Sequence, residues 1–184
     1  VTISSTSITV GGSIGIQFID TVDGGSVSIT DVVINAGVAP GVSFSLAVTG
    51  TAVAISGGSI TTDANTVSFP AGVHGGSLDV RSATWSGVNG FSVNGYPNTA
   101  ITVHGMTVMT SGASANCLSF KGDASGGGSV TVTDTHLSCP NVGVVLSGAN
   151  AVTVSLSGVS TVNSKYGVLL YQDAWTDSTL TIAD

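Results

Sequence analysis

Charged side chains are scarce in this chain of 184 residues, in which Asp, Glu, Lys and Arg together make up 7%. An average soluble domain has about a quarter. All ten acidic residues are aspartates, and the three basic residues are Arg81, Lys121 and Lys165, so the formal net charge is −7. Nucleic acids and anionic membrane surfaces are bound by cationic patches. The sequence therefore predicts neither of these partners.

Strong helix formers are also missing. Glutamate is absent and lysine nearly so, whereas glycine occurs 26 times and serine and threonine together 50 times. Such a chain is poor in residues that favour helices and rich in residues that favour strands and turns. Because the hydrophobic fraction of 42% is typical of folded domains, the composition predicts an all-β fold.

Long hydrophobic runs do not occur either. Stretches such as "VGVVL" fall far short of the ~20 apolar residues that a membrane-spanning helix needs, so we expect no membrane insertion. The chain shows no leader peptide, lipidation motif or initiator methionine, and we interpret it as a mature or excised segment. Its two cysteines, in a Ser/Thr-rich chain of low charge, indicate an oxidising, extracellular location.

An apolar pattern, "Φ-x-Φ-x-x-x-x-Φ", repeats through the whole chain at steps of 22 to 29 residues. The pattern starts at Val1, Val27, Val53, Leu78, Ile101, Val130, Val152 and Leu180. A second phrase, usually Gly followed by "Φ-x-Φ", lies in the back half of each unit. Its last apolar position is Phe18, Phe44, Phe69, Val93, Phe120, Leu146 and Leu170, so four of the five phenylalanines share one column.

The repeat predicts a β-solenoid. We interpret each unit as two short strands with period-2 alternation, separated by Gly, Asn, Asp and Pro turns. A unit of this size cannot bury its apolar face alone, but stacked units form a continuous core. The prediction is therefore one single-stranded right-handed parallel β-helix of about seven coils over residues 1–184, part of a longer polypeptide or a fibre. A β-sandwich also has regularly spaced short strands, but it does not explain aligned columns.

The repeat length, the stacked "Φ-x-Φ" strands and the glycine before the second strand resemble the right-handed parallel β-helix of pectin-lyase-like proteins. More narrowly, the phrases "VSITDVVI", "YGVLLY" and "STLTIAD" resemble the dispersed-gene-family surface proteins of kinetoplastid parasites. The resemblance to these surface proteins implies a secreted or surface β-helical region of a much longer polypeptide.

The sequence shows little material for catalysis. The pectin-degrading hydrolases that this fold resembles carry "NTD", "DD", "GHG" and "RIK" motifs, none of which occurs here. Glycosidases need two carboxylates about 5 to 9.5 Å apart; Asp31 and Asp134 share a column but are expected four coils, or about 19 Å, apart. Asp79 and Arg81 are expected to form a solvated ion pair. His74, His104 and His136 fall at different places in the repeat and suggest no metal site. We expect no cofactor.

Cys117 and Cys139 fall in neighbouring coils, near the two ends of the turn between the predicted strands. A structural disulfide between the coils is one interpretation, and two free buried thiols are the other.

Hydroxyl side chains dominate the predicted outward face of the first strand. The candidate face consists of Thr2, Ser28, Thr30, Ser56, Thr102, Thr131, Thr133, Thr153, Ser155 and Thr181. This face can be an ordinary exposed β-surface, a carrier of O-linked glycans, a ligand-binding face or an ice-binding face. Asp79, Arg81 and His104 interrupt its rows of hydroxyl residues, which counts against ice binding. Tyr166, Tyr171 and Trp175 are candidates for stacking on sugars or for covering the last coil.

The sequence thus favours a non-enzymatic extracellular structural module: a rod, stalk or fibril unit that displays a hydroxyl face, with adhesion to glycans or a cell surface as an extension. Expected partners are copies of itself, end to end, or further coils of the same chain. The alternatives are a polysaccharide lyase or hydrolase whose site lies outside this segment, and an ice-binding solenoid.

Overall fold

The computed structural model describes residues 1–122, 124–148, 150–171 and 177–184. Within these ranges the chain forms β-strands and turns, and no helix. The strands stack into three parallel sheets, in which each strand pairs with its equivalents one coil before and one coil after it. The chain is therefore an all-β parallel β-solenoid of about seven coils, as the repeat predicts.

Each coil contributes one strand to each of three sheets, here named A, B and C. Sheet A contains β1 (Thr2–Ser4), β5 (Ser26–Thr30), β8 (Val48–Ser56), β11 (Val73–Arg81), β14 (Ala100–His104), β17 (Ser129–Thr133), β20 (Thr153–Ser157) and β23 (Thr179–Ala183), with β4 (Val22–Asp23) also paired to β8. Sheet B contains β2 (Ser7–Val10), β6 (Val33–Ala36), β9 (Ser59–Thr62), β12 (Thr84–Gly87), β15 (Thr107–Thr110), β18 (His136–Ser138) and β21 (Ser160–Val162). Sheet C contains β3 (Ile16–Phe18), β7 (Val42–Phe44), β10 (Asn65–Phe69), β13 (Asn89–Asn94), β16 (Asn116–Lys121), β19 (Val142–Leu146) and β22 (Tyr166–Leu170).

The expectation of two strands per unit is wrong, because each coil has three. The apolar residue seven positions after the start of the repeat does not end the first strand but belongs to a separate one. Ile34, for example, lies in β6 and pairs with Ile8 and Ile60 of the neighbouring coils. A residue with positive φ, Asp31, turns the chain between Ile29 and Ile34 and divides what the pattern presents as one segment.

Two corners of the coil are built from residues in the left-handed backbone region. The corner between sheets A and B has positive φ at Ser5, Asp31, Gly57, Ser82, Gly105, Asp134 and Gly158. The corner before sheet A has positive φ at Gly24, Gly50, Gly75, Asn98, Gly127, Ala151 and Asp177, of which Gly50 and Gly75 lie within the long strands β8 and β11. Glycine and short polar residues adopt this conformation at least cost. These turn residues are therefore aligned in columns, and in some coils a second glycine with positive φ adjoins the column, namely Gly25, Gly58, Gly76 and Gly126.

The seventh coil is shifted by two residues from the predicted alignment. The prediction places Val152 beneath Val130, whereas the structure pairs Val154 with both Val130 and Leu180. Val152 lies at the corner before sheet A and is buried. A shift of two residues keeps every side chain on its face of the strand, so the alternation in "VTVSLS" could not distinguish the two registers.

The core runs along the axis and contains the predicted column from Phe44 to Leu146, whereas Phe18 is half-buried and Leu170 is exposed. The members of the column are in register from coil to coil. Phe18, Phe44 and Phe69 stack nearly face to face, with ring centroids 4.3 and 4.4 Å apart. The ladder of rings stops at Val93, where Phe91 of the adjacent inner column makes edge contacts with Phe69 and Phe120 at 6.1 and 5.7 Å. The phenylalanines of this column therefore pack against one another inside the solenoid.

Candidate functional site

The candidate hydroxyl face lies on the outside of sheet A. None of its ten residues is buried, and they alternate along each strand with core residues such as Val27, Ile29 and Val130. The in-register pairs include Ser28 with Thr2 and Thr102 with Thr131. Neighbouring hydroxyls are thus spaced by about 4.8 Å along the axis and about 6.7 Å along a strand.

The two-residue shift in the seventh coil changes the membership of this face. Thr153 pairs with Ser129 and lies one column before its predicted place, while Ser155 takes the position beside Thr131. The predicted place of Ser155 is held by Ser157, which pairs with Thr133. Thr153 and Ser155 remain on the outer face because the shift is even, and Ser157 is an additional member.

Several hydroxyls of this face bind one another. The Ser28 and Thr30 oxygens are 3.3 Å apart within one strand, and Ser56 donates to Thr30 across coils at 3.5 Å. Small residues, such as Ala52 and Ala54 of β8, fill other positions of the same columns. The face is consequently a shallow surface of methyl and hydroxyl groups that can accept and donate hydrogen bonds.

An ion pair interrupts the face in the fourth coil. Arg81 and Asp79 are joined at 2.5 Å, with 57% and 28% of their side chains exposed. The hydrogen bond to Asp79, and then the attraction between the charges, raises the pKa of Arg81, so the guanidinium remains protonated. Because the pair is solvated, its contribution to stability is small, as the sequence suggests.

Two histidines join neighbouring coils on the outside. His104 Nδ1 is 2.8 Å from Thr133 Oγ1 and 3.5 Å from Asp134 Oδ2. His136 Nδ1 is 2.7 Å from Ser160 Oγ on sheet B. Each ring therefore binds a hydroxyl of the next coil, an arrangement that the sequence pattern does not reveal.

Asp31 and Asp134 occupy the same corner in the second and sixth coils, and both have positive φ. Their separation of four coils, about 19 Å, exceeds the spacing at which two carboxylates act on one glycosidic bond. Each carboxylate instead lies against the glycine one coil further along the axis, Gly57 or Gly158. These aspartates are therefore turn residues at the corner between sheets A and B.

In residues 1–122, 124–148, 150–171 and 177–184, no group of three or more His, Cys, Asp or Glu side chains is assembled for a metal ion. In the same ranges, no helix has the length and apolar character to cross a membrane.

Cys117 and Cys139 are placed to form a disulfide between neighbouring coils. Cys117 lies in β16 of sheet C and Cys139 directly follows β18 of sheet B, and their Cα atoms are 5.8 Å apart. This distance is within the usual range for disulfides, and both residues are fully buried. The pair thus lies inside the solenoid, across the corner between sheets B and C.

Sequence reasoning missed a groove of about 230 Å³ over the outer face of sheet C. Asn65, Asn89 and Asn116, the first residues of three successive strands, lie along one side. Ser92 and Ser119 form part of its floor, and Lys121 also lines it. The available signal was the asparagine that begins the second phrase in "NTVSF", "NGFSV" and "NCLSF".

Two of the three candidate stacking aromatics lie at the last strand of sheet C. Tyr166 begins β22 and Tyr171 directly follows it, with exposed fractions of 43% and 51%. Trp175 lies outside the described residues.

Comparison with known proteins yields no match to a protein-family model, to a curated protein or to a solved structure. The parallel β-solenoid of about seven coils is therefore established from the chain itself.

Proposed function

We propose that this chain is a non-enzymatic structural module of an extracellular or cell-surface protein: a rod, stalk or fibril unit that displays a hydroxyl face. The observation that carries the proposal is the unbroken register of three parallel sheets over about seven coils. A strand spacing of about 4.8 Å gives a rod roughly 34 Å long. In such a stack each coil is stabilised by its neighbours, which suits a spacer or stalk.

The extracellular location is supported by the buried cysteine pair, because structural disulfides persist in oxidising compartments. The hydroxyl face of sheet A supports a role as a carrier of O-linked glycans, with Thr102, Thr131 and Thr133 as central acceptors. A relation to pectin-lyase-like proteins, and more narrowly to kinetoplastid surface proteins, remains part of this proposal. The parallel stack is consistent with it.

The proposed partners are further coils of the same polypeptide or other copies of the chain. Among the described strands, β1 and β23 are the outermost of sheet A, and each pairs on one side only. Unpaired strand edges template pairing with additional strands.

A polysaccharide-active enzyme is the second candidate, and the groove over sheet C is the observation that favours it. In this alternative the groove guides a polymer toward a catalytic site outside this segment. Ice binding is less favoured, because Asp79, Arg81 and His104 break the ranks of hydroxyls in the middle of sheet A.

Electron microscopy of the native material, combined with intact mass measurement, tests the proposed function. Fibres or long stalks, with masses raised by hexose increments, are the expected result. Isolated particles of unmodified mass would exclude both the fibre and the glycan carrier. Steady release of reducing ends from a panel of polysaccharides would favour the enzyme instead.

A further inference from the structure

The groove over sheet C, called the channel below, crosses three successive coils, from Asn65 to Asn116. Ser43, Ser68 and Ser119 alternate with core residues and therefore face outward, yet they are only 6%, 6% and 7% exposed. Asn65 begins its strand on one side of the channel, and Lys121 ends its strand on the other.

The column of residues that contains these asparagines continues beyond the groove to the last coil, where its chemistry changes. Asn116 is in register with Val142, and Val142 with Tyr166. The column that is amide-bearing in the third to fifth coils therefore ends in an aromatic ring. From Asn65 to Tyr166 the column rises four coils, or about 19 Å, which is long enough for an oligosaccharide.

Both lysines of the chain adjoin sheet C, since Lys121 ends β16 and Lys165 directly precedes β22. Lys121 lines the groove, and the Lys165 ammonium lies 5.2 Å from the centre of the Tyr166 ring. Within the described ranges neither lysine forms an ion pair, whereas Arg81, on sheet A, is neutralised by Asp79. None of the residues that line the groove is acidic. The molecule as a whole has a net charge of −7, whereas the residues that line this channel include a lysine and no acidic residue.

The polar groups of the channel have spare hydrogen-bonding capacity. The Asn65 and Asn89 side chains make no hydrogen bond in the described part of the chain, and Asn116 only accepts one, from Asn141 at 3.2 Å. A carboxamide has two donors and an acceptor, so this row can pair with amide groups of a ligand. The lysines supply charge-assisted bonds to anionic groups.

We propose that the channel over sheet C binds a linear glycan in which N-acetylated sugars alternate with acidic sugars. The asparagine row recognises the N-acetyl amides, Lys121 and Lys165 bind the carboxylates, and Tyr166 contacts a sugar ring at the last coil. An extended peptide is disfavoured, because peptides recognised as added strands pair with a sheet edge, whereas the channel lies over the face of a fully paired sheet. The inference rests on the proposed function in treating the chain as a non-enzymatic surface module.

Calorimetric titration of the full chain with three hexasaccharides tests the proposal. The probes are a hyaluronan hexasaccharide, with amides and carboxylates, a chitin hexasaccharide, with amides only, and a galacturonic acid hexasaccharide, with carboxylates only. The hyaluronan probe is expected to bind most tightly and to weaken with added salt. Lys121→Gln is expected to weaken its binding about tenfold, the loss of one charge-assisted hydrogen bond.

Arg81→Gln is the matched control, since it removes the same charge on sheet A and is expected to leave binding unchanged. Thermal melting of each variant verifies that it is folded. Absence of hyaluronan binding at millimolar concentration, equal losses in the Lys121 and Arg81 variants, or equal affinity for all three probes would overturn the proposal. Chromatography of the recovered probe distinguishes failure of the proposed function from failure of the glycan proposal. Cleavage of the probe refutes the non-enzymatic function, whereas an intact probe that fails to bind refutes only the glycan channel.

Discussion

Tyr96 shows how burial sets the chemistry of a single residue in this solenoid. Its side chain is 0% exposed and contacts Phe120 edge to face at 6.3 Å. Its hydroxyl has no hydrogen-bond partner among the described residues. Desolvation disfavours the phenolate and raises the pKa of Tyr96 to about 12.

This shift predicts a loss of stability at alkaline pH. Below pH 10 the phenol is protonated in both the folded and the unfolded chain, so it adds no pH dependence. Between pH 10 and about 12 the unfolded chain releases the proton and the folded chain keeps it, so the free energy of unfolding falls by up to about 3 kcal/mol. Urea unfolding at a series of pH values measures this fall.

Tyr96→Phe is the control for the alkaline effect. It removes a buried hydroxyl without a partner, so its stability at neutral pH is expected to be equal to the parent's or higher. Its loss of stability between pH 10 and 12 is expected to be smaller. An identical alkaline fall in the two proteins would show that Tyr96 is not the responsible group.

At the scale of the element, the corner between sheets A and B determines where one strand ends and the next begins. From Asp31 onward, the column of positive-φ residues at this corner alternates between residues with a side chain and glycines. The Asp31 carboxylate occupies the space in which a Cβ at Gly57 would lie, whereas a Cβ at Gly105 would come no closer than 3.6 Å to Ser82 Oγ. Both glycines have positive φ, +66° and +61°.

Alanine at these two glycines is expected to have unequal costs. Gly105→Ala introduces only the left-handed conformation, at about 1 kcal/mol, and Gly57→Ala adds the overlap with Asp31, for about 2 kcal/mol in total. Urea unfolding of both variants measures the difference. Removal of the carboxylate in Asp31→Ala/Gly57→Ala is expected to recover the excess; without that recovery, the overlap is not its cause.

The cysteine pair connects the fifth and sixth coils across the corner between sheets B and C. With a sequence separation of 22, a bond is expected to stabilise the fold by about 3 kcal/mol. The Cys117→Ala/Cys139→Ala variant should lose about this much in urea unfolding, and reductant should lower the stability of the parent only. If iodoacetamide labels both cysteines of the denatured, unreduced chain, no bond has formed.

At the scale of the whole molecule, burial is greatest in the middle of the stack. Val80, Phe69 and Phe120 are 0% exposed, whereas Ile3, in the first coil, and Leu180, in the last strand, are only partly buried. Stability in repeat proteins is approximately a sum of intrinsic and nearest-neighbour terms. The outer coils therefore have fewer stabilising neighbours than the inner ones.

Amide hydrogen exchange is expected to follow this gradient. Protection should be greatest in β10, β13 and β16 and least in β3 and β22, all of sheet C, because local opening requires less energy where fewer contacts are lost. Mass spectrometry of peptides after timed exchange measures it. Uniform protection along the axis would show instead that the chain opens only as one cooperative unit.

The sequence by itself determined the repeat, the all-β class and the phenylalanine column, since an apolar pattern that recurs every coil can be buried only by stacking. It also indicated the surface position of the hydroxyl face and the proximity of Cys117 and Cys139. Only the tertiary structure decided the number of strands per coil. The hydrophobicity pattern does not distinguish the left-handed turn at Asp31 from a continuing strand, so β5 and β6 are read as one segment. It likewise decided the register of Val154, where a two-residue shift preserves the alternation. The channel over sheet C appears only when Asn65, Asn89 and Lys121 are brought together from different coils.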